Sequence, residues 1–241
     1  MTLLAFDGVW KTLRRPGPEH EVLRDVSFDV REGQFVGIVG PRGSGKSMLL
    51  QIAAGMSSPD RGTVAFAGRD LNNLSRRGLA ALRARQIGWG CLIPPPAGLT
   101  IRDSLTFSLR THPGCRSAEG TVDVLLEELG LRELAGATWN QLTLSEKGRA
   151  ALAQAVIRRP RLLLVDDLLA GTDLVRREQT LTLLRSWSVE RGLAILMVAS
   201  DAPHLLHCDE IMVLSNGSLL KPSLRSGADV IAFPTTQTET A

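Results

Sequence analysis

The sequence predicts an α/β domain built on a mainly parallel central sheet, with three observations behind that prediction. Short apolar runs of strand length alternate with helical periodicity along most of the chain. One of those runs stops at a glycine-rich turn with a helix behind it. Another stops at two adjacent carboxylates. The 241 residues suffice for one domain, or two lobes sharing a core, with a substantial buried interior.

In chain order, the first forty residues read as strands. Residues 22–30 partly alternate apolar and polar side chains, and Glu32-Gly33 supplies a turn. Residues 34–39 form a short apolar run that ends at Gly40, and the pattern from 46 to 54 is helical. A strand follows at 62–66 and a helix rich in Arg, Ala and Leu at 74–85. Residues 101–138 read mostly as helices, which places a helical subdomain at about 93–150. An alanine-rich helix at 146–157 stops before Pro160, and a buried strand at 162–165 runs into Asp166-Asp167. A helix at 176–190, strands at 194–199 and 210–214, and an Asn216-Gly217 hairpin turn complete the domain, assigned to residues 1–220. Residues 221–241 are rich in Ser, Thr, Gly and Pro and read as a polar, loosely ordered tail.

Composition narrows the function classes. The net charge of +3 is small and aromatics make up only 4%, with no basic run interleaved with them, so nucleic acid is not an expected partner. No stretch approaches the roughly eighteen apolar residues that a membrane helix needs, and the N-terminus lacks a leader pattern. A membrane role is therefore expected to run through a partner subunit. Cys91, Cys115 and Cys208 have neither disulfide-framework nor zinc spacing, as expected in a reducing compartment. Neighbouring side chains in His207-Cys208-Asp209 point in different directions on a helix or strand, which argues against a metal site there.

Gly40-Pro41-Arg42-Gly43-Ser44-Gly45-Lys46-Ser47 fits the phosphate-loop pattern G-x-x-x-x-G-K-[ST] at every defined position. Its glycines permit the curvature that turns backbone N–H groups onto phosphate oxygens, and the next helix adds its positive end. Lys46 is expected to reach the β- and γ-phosphates of ATP, and Ser47 to ligate Mg²⁺. Asp166, at the end of an apolar strand, is the expected second Mg²⁺ ligand, and Asp167 the candidate general base.

These residues resemble the ATP-binding subunits of ABC transporters over roughly residues 3–220. The resemblance rests on residues 22–28 with Glu32-Gly33, on the phosphate loop, and on Pro59-Asp60-Arg61-Gly62-Thr63-Val64. It continues through Arg159-Pro160, the Walker B strand ending at Asp166-Asp167, and Ala170-Gly171-Thr172-Asp173 as the D-loop. Residues 70–75 and the arginine-rich 81–88 look closest to the lipoprotein-release, macrolide-export and cell-division subgroup. The family implies a phosphate-loop NTPase fold of the ABC type, in which a mainly parallel sheet is joined by an antiparallel β subdomain and a helical one.

Several positions depart from the family pattern. Leu13 stands at the adenine-stacking aromatic, and Trp10 lies three residues earlier, on the other strand face by simple alternation. Leu92 replaces the Q-loop glutamine and is followed by Ile93-Pro94-Pro95-Pro96. Two signature registers are possible. Leu144-Ser145-Glu146-Lys147-Gly148 keeps the literal Leu-Ser but needs two residues deleted from the helix. Leu142-Thr143-Leu144-Ser145-Glu146 needs no gap and is preferred. In it Thr143 keeps a hydroxyl, Leu144 and Ser145 replace two glycines, and Glu146 brings negative charge near the opposing γ-phosphate, while the helix dipole is expected to remain available. Asp167 replaces the catalytic Glu and Ser200 the switch His.

The resemblance with these departures implies an ATP- and Mg²⁺-binding subunit with slow hydrolysis, peripheral on the cytoplasmic face of the cell membrane and bound to integral membrane permease subunits. Its partner at the nucleotide is another ABC ATPase, in a heterodimer in preference to a homodimer. The alternatives are an active homodimeric transport ATPase with Asp167 as base, and a soluble ABC protein acting on ribosomes or DNA.

Overall fold

The structure, a computed structural model, describes residues 1–13, 20–110 and 119–220. The tail expected at 221–241 and Cys115 lie outside the described residues.

Two sheets form the frame. β1 (Thr2–Leu13) pairs antiparallel with β2 (His20–Arg31) on one edge and with β4 (Arg61–Phe66) on the other, and β5 (Arg69–Asp70) extends β4. The second sheet contains β3 (Phe35–Val39), β6 (Ile87–Gly90), β7 (Leu162–Asp166), β8 (Ala194–Ala199), β9 (Glu210–Ser215) and β10 (Ser218–Leu220), in the order β10-β9-β3-β8-β7-β6. All its pairings are parallel except that of β10 on β9. This is the mainly parallel sheet with an antiparallel companion that the sequence predicts.

β3 and β8 are buried along their whole length, as is β7 up to its last residue, which explains their unbroken apolar runs. Their alternate residues serve two cores. Phe35, Val39, Leu163, Val165, Ile195 and Met197 pack against α3 (Ile101–Arg110), α4 (Glu119–Glu128), α5 (Leu144–Val156) and α6 (Leu174–Arg191). Val36, Ile38, Leu162, Leu164, Leu196 and Val198 face α1 (Lys46–Ala53) and the antiparallel sheet. Phe6 stacks on Phe28 across that sheet with centroids 4.7 Å apart.

Helix starts differ from the sequence reading wherever a cap residue sits outside the apolar pattern. α2 (Arg76–Gln86) begins two residues after Leu74, because the Ser75 hydroxyl accepts the Gly78 N–H. α5 begins two residues before Glu146, capped by Thr143, and α6 two residues before Arg176, capped by Asp173. In the hairpin joining β9 and β10, Asn216 and Gly217 both take positive φ (49° and 80°), the type I′ geometry that matches strand twist. β1 departs from simple alternation: its pairing register shifts between Val9 and Lys11 and again between Lys11 and Thr12. Parity therefore does not assign Trp10 and Leu13 to opposite faces.

Candidate functional site

The C-terminal ends of β3, β8, β7 and β6 lie side by side, the position where open α/β sheets collect ligands. They deliver Gly40, Ser200, Asp166 with Asp167, and Cys91 to one rim.

Only glycine fits at Gly40, since a Cβ there would stand 2.3 Å from the Leu214 carbonyl oxygen. The chain then crosses Pro41, Arg42 and Gly43 (φ +82°), and the Ser44 N–H donates to the Pro41 carbonyl at 3.2 Å. Gly45, at φ +103°, is the N-cap of α1 and offers no side chain to its first turn, so the helix N–H groups face the loop. Lys46 is buried. Its Nζ donates to the carbonyl oxygens of Gly40 (2.6 Å) and Pro41 (2.8 Å), and burial pushes its pKa down against the pull of Asp167 and Asp166. The Ser44 hydroxyl is buried without a hydrogen-bond partner among the described residues. Inward-facing amides, an ammonium and an unsatisfied hydroxyl fit a phosphate chain. The Ser47 hydroxyl donates to Asp166 Oδ1 at 3.1 Å, bringing the two proposed Mg²⁺ ligands together. Burial pushes the Asp166 carboxyl up, and the Ser47 hydrogen bond opposes that rise.

Asp167 has φ +48°, uncommon for a residue with a Cβ, and its N–H donates to Val198 O at 3.0 Å. Both of its carboxylate oxygens accept from one residue: the Ser200 hydroxyl at 2.9 Å and the Ser200 N–H at 3.4 Å. The fold thus brings the two candidate catalytic residues into direct contact. No described hydrogen bond joins Asp167 to the phosphate loop.

The signature segment lies elsewhere, in the first turn of α5. There the Glu146 carboxylate accepts the Thr143 N–H at 2.8 Å while the Thr143 hydroxyl accepts the Glu146 N–H at 3.4 Å. This capping box lowers the Glu146 pKa, chiefly through the Thr143 N–H. The carboxylate thus takes the N-cap amide and places negative charge at the positive end of α5. The Ser145 hydroxyl is buried without a partner among the described residues, whereas Leu144 is 48% exposed. Leu144 touches the D-loop side at Gly171, and Gly148 lets α5 approach the Leu168 backbone, where a Cβ would meet the carbonyl oxygen at 2.7 Å. Asp173 caps α6 by accepting the Arg176 N–H at 2.9 Å. Leu92 is 42% exposed beyond β6, and Leu13 sits opposite His20 at the far end of its hairpin. No described hydrogen bond or pairing brings either one to the loop.

The sequence profile of the ABC transporter family matches residues 23–170, more than half of the chain. The chain belongs to the ABC transporter family. Among curated relatives, this ABC cassette is 32% identical over 90% of its length to the lipoprotein-releasing system ATP-binding protein LolD 2 of Caulobacter vibrioides, spanning 96% of that protein. It is 33% identical to the sulfate/thiosulfate import ATP-binding protein CysA of Synechocystis, of whose length it spans 55%. Among solved structures it superposes on the ATP-binding cassette MJ0796, a dimer in a post-hydrolysis state bound to ADP and Pi, with a TM-score of 0.84 at 26% identity, covering 91% of this chain and 98% of that one. The cassette is accordingly the ATP-binding domain of an ABC transporter. No helix among its described residues is long and apolar enough to cross a membrane.

Three residues of the cassette escape sequence reasoning. Cys91, at the tip of β6, is half-buried within electrostatic reach of Asp166, and burial pushes its thiol pKa up. His204, in the turn after β8, is buried with Nδ1 unpartnered among the described residues. Arg149 on α5 is buried and donates to the carbonyls of Leu129 (2.8 Å) and Gly130 (2.9 Å). The run Thr143-Leu144-Ser145-Glu146 did carry a readable signal, the S/T-x-x-E pattern of a capping box.

Proposed function

We propose that this chain is the Mg-ATP-binding, slowly hydrolysing subunit of an ABC complex, peripheral on the cytoplasmic face of the cell membrane through permease subunits and paired at the nucleotide with a more active ABC ATPase. The observation that carries the reading is a contrast within one rim. The phosphate loop is complete, with Lys46 in place and Ser47 paired to Asp166, while Asp167 has both carboxylate oxygens occupied by Ser200.

Ser47 and Asp166 would hold Mg²⁺, which when bound would neutralise phosphate charge. Residues 40–47 bind and orient the phosphate chain, and Lys46 exchanges its two backbone carbonyls for phosphate oxygens. Asp167 is one methylene shorter than glutamate. The two hydrogen bonds from Ser200 also stabilise its ionised form and hold its orientation, which makes it a weaker base toward water. General-base assistance is worth about 10²–10⁴-fold, so a detained base leaves binding intact and turnover slow. The self-capped Thr143–Glu146 turn presents a carboxylate where an opposing nucleotide's γ-phosphate would approach, which disfavours a homodimer and favours a partner with an open signature. Likeness to LolD 2, the ATP-binding protein of a lipoprotein-releasing system, supports a place in a larger assembly.

The test is turnover of the purified chain. Expected are Mg-dependent ATP binding lost in Lys46→Ala, slow hydrolysis, and a gain of about tenfold or more in Asp167→Glu. A rate matching ordinary cassettes, abolished by Lys46→Ala and unimproved by Asp167→Glu, would instead establish an active homodimeric ATPase.

A further inference from the structure

One helix of this chain carries only positive charge. α2 holds four arginines and no acid while the whole chain nets +3, so the remaining residues net −1. Its exposed positions are Arg76, Arg77, Ala80, Ala81, Ala84 and Arg85, and its partly buried Leu79 and Leu82 pack on the core from the other side. Among the described residues none of the four arginines forms a salt bridge. Arg76 and Arg77 open the first turn, where the helix dipole already contributes positive potential.

The same helix walls a pocket of about 270 Å³ lined by Arg83, Arg85 and Arg158 with Trp89, Ser108 and Gln154, and no carboxylate among its lining residues. Backbone carbonyls orient two of these guanidinium groups: Arg83 Nη1 donates to Gly55 O at 2.9 Å and Arg158 Nε to Ser108 O at 3.1 Å. The pocket suits a phosphate, which guanidinium groups grip through paired N–H donors.

We propose that α2 is a docking face for an anionic phospholipid surface, with one headgroup phosphate seated between Arg83, Arg85 and Arg158. A bilayer fits better than an acidic protein because the exposed face of α2 offers no large apolar side chain. Protein interfaces draw their affinity from buried aromatic and aliphatic anchors, whereas attachment to anionic lipid needs only a flat array of charge. The proposal rests on the peripheral membrane location given above and adds a direct lipid contact to it.

Sedimentation of the purified chain with vesicles tests it. The chain is expected to sediment with phosphatidylcholine vesicles containing about one-third phosphatidylglycerol and not with phosphatidylcholine alone, and to be released between about 0.05 and 0.5 M NaCl. Replacing Arg76, Arg77 and Arg85 together by Gln, a comparable helix former, should weaken partitioning on the order of 100-fold, about fivefold per arginine. Thermal stabilisation by Mg-ATP in the same samples reports that the variant is folded and its nucleotide site intact. The lipid contact is overturned if the anionic vesicles retain neither protein or both equally. It is also overturned if only neutral vesicles carrying a permease distinguish wild type from variant, since the partner is then an acidic protein surface. In that last case the permease reading survives, so the two failures are distinguishable.

Discussion

Asp166 is half-buried beside Asp167, and burial is the largest influence on its carboxyl, ahead of the opposing Ser47 hydrogen bond. Its folded-state pKa is raised, so the proton is held more tightly in the folded chain than in the unfolded one. The resulting stabilisation is complete below the ordinary value of 3.8 and is lost as pH rises through the raised value. Above that raised value the ionised carboxylate is the form that destabilises the nucleotide-free protein. Asp166→Asn should raise its Tm at neutral pH, with the difference vanishing in acid, and should abolish the Mg²⁺ dependence of ATP binding; calorimetry with and without Mg-ATP reads both. Gly40→Ala should abolish ATP binding, because the added Cβ meets a fixed backbone oxygen at 2.3 Å, with nothing flexible to yield. Equilibrium dialysis of labelled nucleotide checks that loss.

α5 illustrates how much of an element its terminal residues decide. Thr143 and Glu146 satisfy each other's backbone N–H groups, so Thr143→Ala should cost about 1 kcal/mol in urea unfolding. Gly148→Ala should cost about 1–3 kcal/mol, since the new methyl group would push α5 off the Leu168 backbone. These details also mark what was legible. The apolar runs of β3, β7 and β8 and the glycine spacing of the loop identify strands, helix and phosphate site, because full burial and tight curvature each demand particular residues. The Asp167–Ser200 contact was not legible: it joins the ends of two strands 33 positions apart through the pairing of β7 with β8. The bulges in β1 were equally hidden, since alternation assumes a regular register.

At the scale of the molecule, the nucleotide-facing loop and the signature turn occupy separate places. α5 is fastened to the D-loop side by the Gly148–Leu168 and Leu144–Gly171 approaches, not to the loop. In the proposed assembly the phosphate loop of one chain and its signature turn therefore serve different nucleotides. In sedimentation velocity with Mg-ATP the chain alone is expected to stay monomeric, and to dimerise when mixed with an ABC ATPase that has glutamate at its base position and an open signature. Homodimerisation of the chain alone would contradict that assembly.

The type I′ turn at Asn216-Gly217 has a consequence for communication within the cassette. The Arg24 N–H donates to Gly217 O at 2.8 Å, and two positions earlier in β2 the Val22 carbonyl lies against both Gly217 and Gly45. Loop, antiparallel sheet and C-terminal hairpin thus meet across a few ångströms of shared backbone. The amide of Arg24 is consequently a built-in reporter. Its hydrogen–deuterium exchange should slow when phosphates tighten the loop from the opposite side, giving a ligand-free region of the chain a measurable memory of occupancy.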